Sequence, residues 1–368
     1  GVPDDTSKEL EEVRLKYLIT TLIGFEAAES IQERWSPDVV FGNMEVYADW
    51  APYHKYFVSK GVKSSTVSIS QFNYKAVLIN QNDLFISNIR YKNWQRARKN
   101  KGLTGKEYSD ITEFISERFQ GEIQSFKDYG FFDTGVRVNE IINIDSNKRN
   151  IFLFSNVYWD VGISELSKFF PGVLDWVIGS INIIKNYPDC HLFIKPHPSE
   201  IFDIKSERGV IEAISKAFPE LPNNVTIIYP EMRVLTYDLF KYIDVGVVYN
   251  GTLGLEMLFD NIPVIACGKT PYGGINLVSE PKEKLEYELL LVGKAPLCKP
   301  SQNEIREFAY FYFIKSLIPW KFNENAYGDQ FRQFKMCGIS EIMPSANYHL
   351  DHICKAIVSV DDTFIDNW

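Results

Sequence analysis

The sequence predicts an α/β protein of two domains facing a cleft, the C-terminal one complete and the N-terminal one reduced or truncated. Three observations predict it. From Ile151 onward, short apolar runs alternate with amphipathic stretches, the pattern of parallel strands covered on both faces. Two of those strands end in distinctive chemistry: HLFIKPHP delivers Lys195 and His197, and DVGVVY runs into the glycine-threonine turn NGTLGLE. Before residue 90 only two clear parallel strands are visible, too few for a complete doubly wound domain.

Along the chain, Leu10, Val13, Leu15, Leu18, Leu22 and Phe25 recur at near-helical spacing and predict a helix over 8–34, stopped by Pro37. DVVFGN at 38–43 reads as a buried strand, a helix follows over about 50–60, and SSTVSIS at 64–70 is a second strand. Together they form one βαβ unit. Residues 90–130, basic and then acidic, read as helical, with Thr104 as a cap. The polar run NIDSNKRN marks a boundary, so the domains are expected at 1–145 and 146–305, with C-terminal helices over 306–368 packing back across them.

Within the second domain IFLFSNV is a strand, 163–186 is helical but interrupted at Pro171-Gly172, and HLFIKP is a strand. A helix over 207–218, the strand NVTIIYP and a helix near 235–242 lead to DVGVVY, the helix of Glu256 and the strand PVIAC. That order predicts a Rossmann-type sheet, whose ligands lie beyond the carboxyl ends of the strands. EIREFAYFYFIKSLI, ended by Pro319, and NYHLDHICKAIVSV are the last two helices.

Bulk properties narrow the class. A net charge of −9 argues against a general nucleic-acid binder. Five scattered cysteines, an odd number, suit reduced thiols rather than a disulfide framework. No apolar run approaches the roughly 18 residues of a membrane span, and no signal peptide is visible. The expected setting is the cytoplasm, as an enzyme or as a domain of something larger. Aromatics, at 14%, serve cores but also stack on sugars and bases.

Two strand ends carry the candidate chemistry. The prolines of Lys195-Pro-His197-Pro198 narrow the loop conformation, so a cation and an imidazole are held beside the ligand edge. His197 can donate to a phosphate and stabilise charge on a leaving nucleotide, or it can simply bond a neighbouring loop. The turn Asn250, Gly251, Thr252 and Gly254 offers backbone N–H groups to an anion. Glu256, one turn into the helix, can accept from ribose hydroxyls or merely complement its own helix dipole. Ser155, Asn156 and Asp160 follow the first strand of the domain and can touch the donor or serve as turn residues. Tyr229, Thr236 and Tyr237 stand where a base is often held, with core packing as the alternative.

In the N-terminal part, Asn43 and Glu45 end the first strand, and Asp49, Tyr53 and His54 follow. Glu45 or Asp49 is the candidate general base on an acceptor hydroxyl, against the commoner outcome of a solvated loop carboxylate. No metal is expected: His349, His352 and Cys354 lack a partner pair.

FIKPHPSE followed by NGTLGLEMLFDNIPVIACG resembles the nucleotide-binding half of GT-B glycosyltransferases. More narrowly it is similar to bacterial capsule and lipopolysaccharide biosynthesis proteins, including Kdo transferases. RNIFLFSNVYWD, PNNVTIIYP and LTGKEYSDITEFISERFQG support the likeness, while PYGGIN at 271–276 lacks the two cations that relatives carry there. The resemblance implies a GT-B-like fold and phosphate contacts from His197, Pro198, Gly251 and Thr252, with ribose on Glu256. It also implies transfer of a sugar, without a bound metal or other cofactor, from a nucleotide-sugar donor to a hydroxyl of a growing glycan or glycolipid. CMP-Kdo is the leading donor, with UDP- and GDP-sugars as alternatives. The expected partners include the inner face of the cytoplasmic membrane, bound peripherally, or other glycan-assembly domains. Two rivals are a nucleotide-sugar 2-epimerase and a non-catalytic nucleotide- or glycan-binding module.

Overall fold

The computed structural model describes residues 8–43, 47–69, 76–81, 87–120, 138, 142–157, 169–201, 209–232, 234–320, 323–324, 333–334 and 338–359. Glu45 and Asp160 lie outside them. The chain divides into two compact units: residues 1–86, 92–100 and 312–368 form the first, and 87–91 with 101–311 the second. These limits differ from the sequence expectation. Residues 101–145 go with the second unit, and 312–368 return to the first.

In the first unit, α1 (Lys8–Trp35) packs on α2 (Ala51–Ser59) through Gly24, where an added Cβ would meet Pro52 at 2.9 Å. β1 (Val39–Asn43) and β2 (Lys63–Ile69) pair in parallel around α2, which is the predicted βαβ unit. The sheet is not purely parallel, however. β3 (Ala76–Gln81) joins β2 antiparallel, and the short β9 (Ile318–Pro319) joins β3 antiparallel. A return from residue 318 places Pro319 in this sheet, where its missing N–H is tolerated at an edge. Ile318 and the last helix, Tyr348–Ser359, close a small core through Ile353 and Ala356.

The division between the units passes through α3 (Ser87–Ala97). In the second unit, α4 (Gly105–Phe119) opens on a capping box: Glu107 donates its backbone N–H to the Thr104 hydroxyl, and its carboxylate accepts from the Thr104 N–H. The central sheet holds β4 (Arg149–Phe154), β5 (Cys190–Lys195), β6 (Val225–Ile227), β7 (Val245–Val248) and β8 (Val264–Ala266). All pair in parallel, in the order β6-β5-β4-β7-β8. Strand order therefore reverses at β4. That is the topological switch point of a doubly wound sheet.

Side-chain alternation sorts the two faces. Ile151, Leu153, Leu192, Ile194, Val245 and Val247 point to one core, shared with α5 (Val173–Ile184) and α6 (Val210–Ala217) and with Tyr287 of α8 (Lys284–Leu291). Each such fully buried side chain stabilises the fold by about 1.5–3 kcal/mol. Trp176 and Ser180 both bond the Tyr287 hydroxyl, at 3.2 and 2.7 Å, so these three polar groups are satisfied inside that core. Phe152 and Phe193 stack on the opposite face, 4.5 Å between centroids. There α7 (Leu253–Phe259) lies against Gly246, where any Cβ would collide with Met257. The predicted helix near 235–242 is a 3₁₀ helix, Thr236–Tyr242.

Candidate functional site

The site grows out of the switch point. Phe154 pairs with Lys195 on one side and Val248 on the other, so β5 and β7 are separated by β4 alone, about 9.5 Å apart. In-register pairing also fixes the faces: Lys195 shares its face with Phe154, Phe193 and Gly246, the one that α7 covers. The basic strand end and the glycine turn therefore lie along one edge of one sheet, with Lys195 on the face that α7 covers.

Lys195 is 9% exposed. Burial alone draws its pKa from 10.5 to about 8, and no carboxylate among the described residues acts on it. His197, two residues on and half-buried, is pushed down to about 4, first by burial and then by Lys195. The imidazole is thus neutral near pH 7 and can donate from one ring nitrogen. Its folded pKa lies below the unfolded value, so the native state binds fewer protons between pH 4 and 6.5. Stability from this group is present above pH 6.5 and is lost as pH falls towards 4. Thermal melts at pH 7 and 4.5 should accordingly show a smaller acid-induced loss for His197→Gln than for the wild type. Equal losses would mean that the imidazole is not desolvated.

The opposite wall is a braced turn. The Asn250 N–H donates to Asn156 Oδ1 at 3.1 Å, and the Gly251 N–H to Asn250 Oδ1 at 2.6 Å. Gly251 has φ +97°, which disfavours any side chain. Tyr272 donates its hydroxyl to the Gly251 carbonyl at 3.0 Å. Beneath that ring sits Gly254, whose added Cβ would overlap the Tyr272 hydroxyl. Close packing, rather than ligand contact, is what requires glycine at 254. Leu253 and Gly254 open α7, so their amides have no intrahelical carbonyl partner.

Glu256 departs from its expected role. Its side chain is 2% exposed and lies inside a hydrogen-bonded network. Oε1 accepts from Arg118 Nη2 at 2.6 Å and from Thr252 Oγ1 at 2.9 Å, while Oε2 accepts from the Tyr237 hydroxyl at 2.7 Å. A carboxylate committed to three internal donors is not presented to a ribose. Tyr237 is committed as well, packed on Phe119 at 4.8 Å, so it is not a free base platform. Burial, then Glu256, raise its pKa well above 10 and keep it protonated. For Arg118, burial opposes the charge, but Glu256 and Tyr237 outweigh it and leave the guanidinium above its ordinary value.

Arg118 escaped the sequence reading, though a signal was there. Ile111, Ile115 and Arg118 occupy one stripe of α4, so an arginine falls where an apolar residue belongs. A buried cation at such a position calls for a buried carboxylate.

The remaining candidates scatter. Ser155 is buried, and its hydroxyl has no partner among the described residues. Tyr229 follows β6, three strand spacings or about 14 Å from β7, and is 39% exposed. In the first unit Asp49 is exposed in the turn before α2, and His54 Nδ1 bonds the Ser64 hydroxyl at 2.5 Å. Asn43 ends β1, and its side chain is outside the described set, as is Glu45. Among the described residues no group of three or more His, Cys, Asp or Glu could hold a metal, and no helix is long and apolar enough to cross a membrane.

No family model matches the chain, and no curated protein does. Among solved structures it is similar to the KpsC β-Kdo 2,4-transferase of Thermosulfurimonas dismutans, at 12% identity and a TM-score of 0.46, over 72% of this chain and 76% of that one. The KpsC β-Kdo 2,7-transferase of the same organism gives 13% and 0.43, over 77% and 80%. UDP-GlcNAc 2-epimerase from Neisseria meningitidis, bound to UDP-GlcNAc, gives 12% and 0.30, over 80% and 76%. The α/β class with a parallel sheet stands on the strand order itself.

Proposed function

We propose that the second unit binds the phosphate of a nucleotide-activated sugar and that the protein is a glycosyltransferase acting on a glycan or glycolipid hydroxyl. One observation carries the reading: a buried lysine at the switch point whose charge is offset by no carboxylate among the described residues. Burying an ammonium without a counter-charge is costly, and a ligand phosphate supplies the missing anion. The amides of Leu253 and Gly254, which follow the braced turn and open α7, add backbone donors at the same sheet edge, beside the neutral imidazole of His197. Charge developing on a departing nucleotide would meet these groups already in place, which is how fixed dipoles stabilise a transition state.

CMP-Kdo remains the proposed donor on the motif resemblance, ahead of UDP- and GDP-sugars. The proposed setting is the cytoplasm, at the membrane face when the acceptor is a glycolipid. Buried free thiols at Cys190 and Cys267 suit a reducing compartment. The proposal involves no metal, since Lys195 and the turn amides provide the offsetting charge.

Isothermal titration with CMP, UDP and GDP tests it. Saturable binding by one of them, followed by sugar transfer from the matching donor, is the expected result. Binding by none would remove the reading in favour of a different module, and acceptor-free conversion of UDP-GlcNAc would replace it with epimerisation.

A further inference from the structure

We infer that Arg118 and Glu256 are positioning residues that lock the Thr252 turn for an anionic ligand, and that Glu256 makes no ribose contact; this rests on the reading above. Both oxygens of the carboxylate are aimed inward, at Arg118, Thr252 and Tyr237. A carboxylate gripping a ribose diol has to aim at least one oxygen at solvent. Glu256 cannot do so without releasing a buried donor.

The direction of the Thr252 bond matters. Its hydroxyl proton goes to Glu256 Oε1, because a carboxylate only accepts. The same hydroxyl is therefore not available to donate to a phosphate, and the side chain anchors the turn from below. Ligand donors on this wall are then the backbone amides of Leu253 and Gly254, whose direction depends on that anchor. Charge supports the assignment: Arg118 and Glu256 cancel, so the pair shapes the turn while Lys195 supplies the attraction. Phe119, next to Arg118, packs on Tyr237 and Phe240 at 4.8 and 5.6 Å and holds the end of α4 over the 3₁₀ helix.

The test compares CMP, UDP and GDP with their 2′-deoxy counterparts and with inorganic pyrophosphate, by titration on the full chain. Wild type should bind each ribonucleotide and its deoxy form within about two-fold, as when Glu256 makes no bond to the 2′-hydroxyl. Thr252→Val, which spares the Arg118–Glu256 pair and so leaves the fold intact, should weaken nucleotides and pyrophosphate alike by about ten-fold. Thr252→Ser should restore them, which a merely structural role for the methyl group would not give. A ten-fold loss on removing the 2′-hydroxyl, abolished in Glu256→Gln, would make Glu256 a ribose ligand and overturn the assignment. Unchanged affinity in Thr252→Val would overturn it too, while leaving the phosphate reading in place. Failure of wild type to bind any of these probes would overturn both.

Discussion

Replacing Arg118 with methionine should destabilise the protein by about 3–5 kcal/mol, read from guanidinium unfolding, because it strands a buried carboxylate. The size follows from burial. Arg118 and Glu256 side chains are 6% and 2% exposed, and their 2.6 Å contact is shielded from solvent and salt. The exposed pair Lys106–Asp110 on the same helix, at 2.7 Å, has nearly the same geometry and should contribute only about 0.3–0.5 kcal/mol. Geometry is shared, so desolvation decides the difference. After the change Glu256 would keep Thr252 and Tyr237 as donors but lose its only counter-charge among the described residues. The double variant Arg118→Met with Glu256→Gln should recover most of the loss, since the neutral amide oxygen can accept from one hydroxyl while the amide N–H donates to the other. A single-variant loss below about 1 kcal/mol would mean that the pair is solvated and the network is not held as described.

That network also marks where sequence reasoning stops. The second sheet was legible because parallel strands buried on both faces appear as uninterrupted apolar runs, and IFLF, HLFIK and DVGVV are such runs. Lys195, Asn156 and the Asn250–Thr252 turn were legible because they end those strands. Glu256 was legible as a residue but not in its role: an acid one turn into a helix satisfies the dipole argument whatever it bonds. Its partner arrives from α4, 138 positions earlier in sequence, and spacing rules reach only a few residues. The first sheet failed for a related reason. β3 is recruited antiparallel by β2 and by a strand at 318–319, and neither pairing is local. The boundary near 145 failed because the polar run there is a turn before β4, while the amphipathic α4 upstream finds its buried partner in the second unit. The helix Lys284–Leu291 went unread in a stretch where charges and leucines mix without clean periodicity.

Replacing Lys195 with methionine should make the protein more stable while removing most of its affinity for phosphate-bearing ligands. The drop of its pKa from 10.5 to about 8 corresponds to about 3 kcal/mol spent on holding the charged form in the folded state at neutral pH. Methionine fills a similar apolar volume without that cost, so a gain of about 1–3 kcal/mol is expected after allowance for imperfect packing. The pH dependence has a definite sign. A folded pKa below the unfolded one means that the unfolded chain binds more protons between pH 8 and 10.5. Wild-type stability should therefore gain from this group as pH rises through that window, and the methionine variant should lack the gain. Affinity should move oppositely, falling as pH passes about 8 and the ammonium discharges. Loss of a charge-assisted hydrogen bond of about 1.5–3 kcal/mol predicts nucleotide binding weakened by roughly 10- to 150-fold in the variant. Thermal melts and titrations on the same preparations check both halves. A residue kept against the interest of the fold is retained for what it binds. If the variant melted lower and bound a nucleotide as well as wild type, Lys195 would be a structural cation and the anion would have to sit elsewhere.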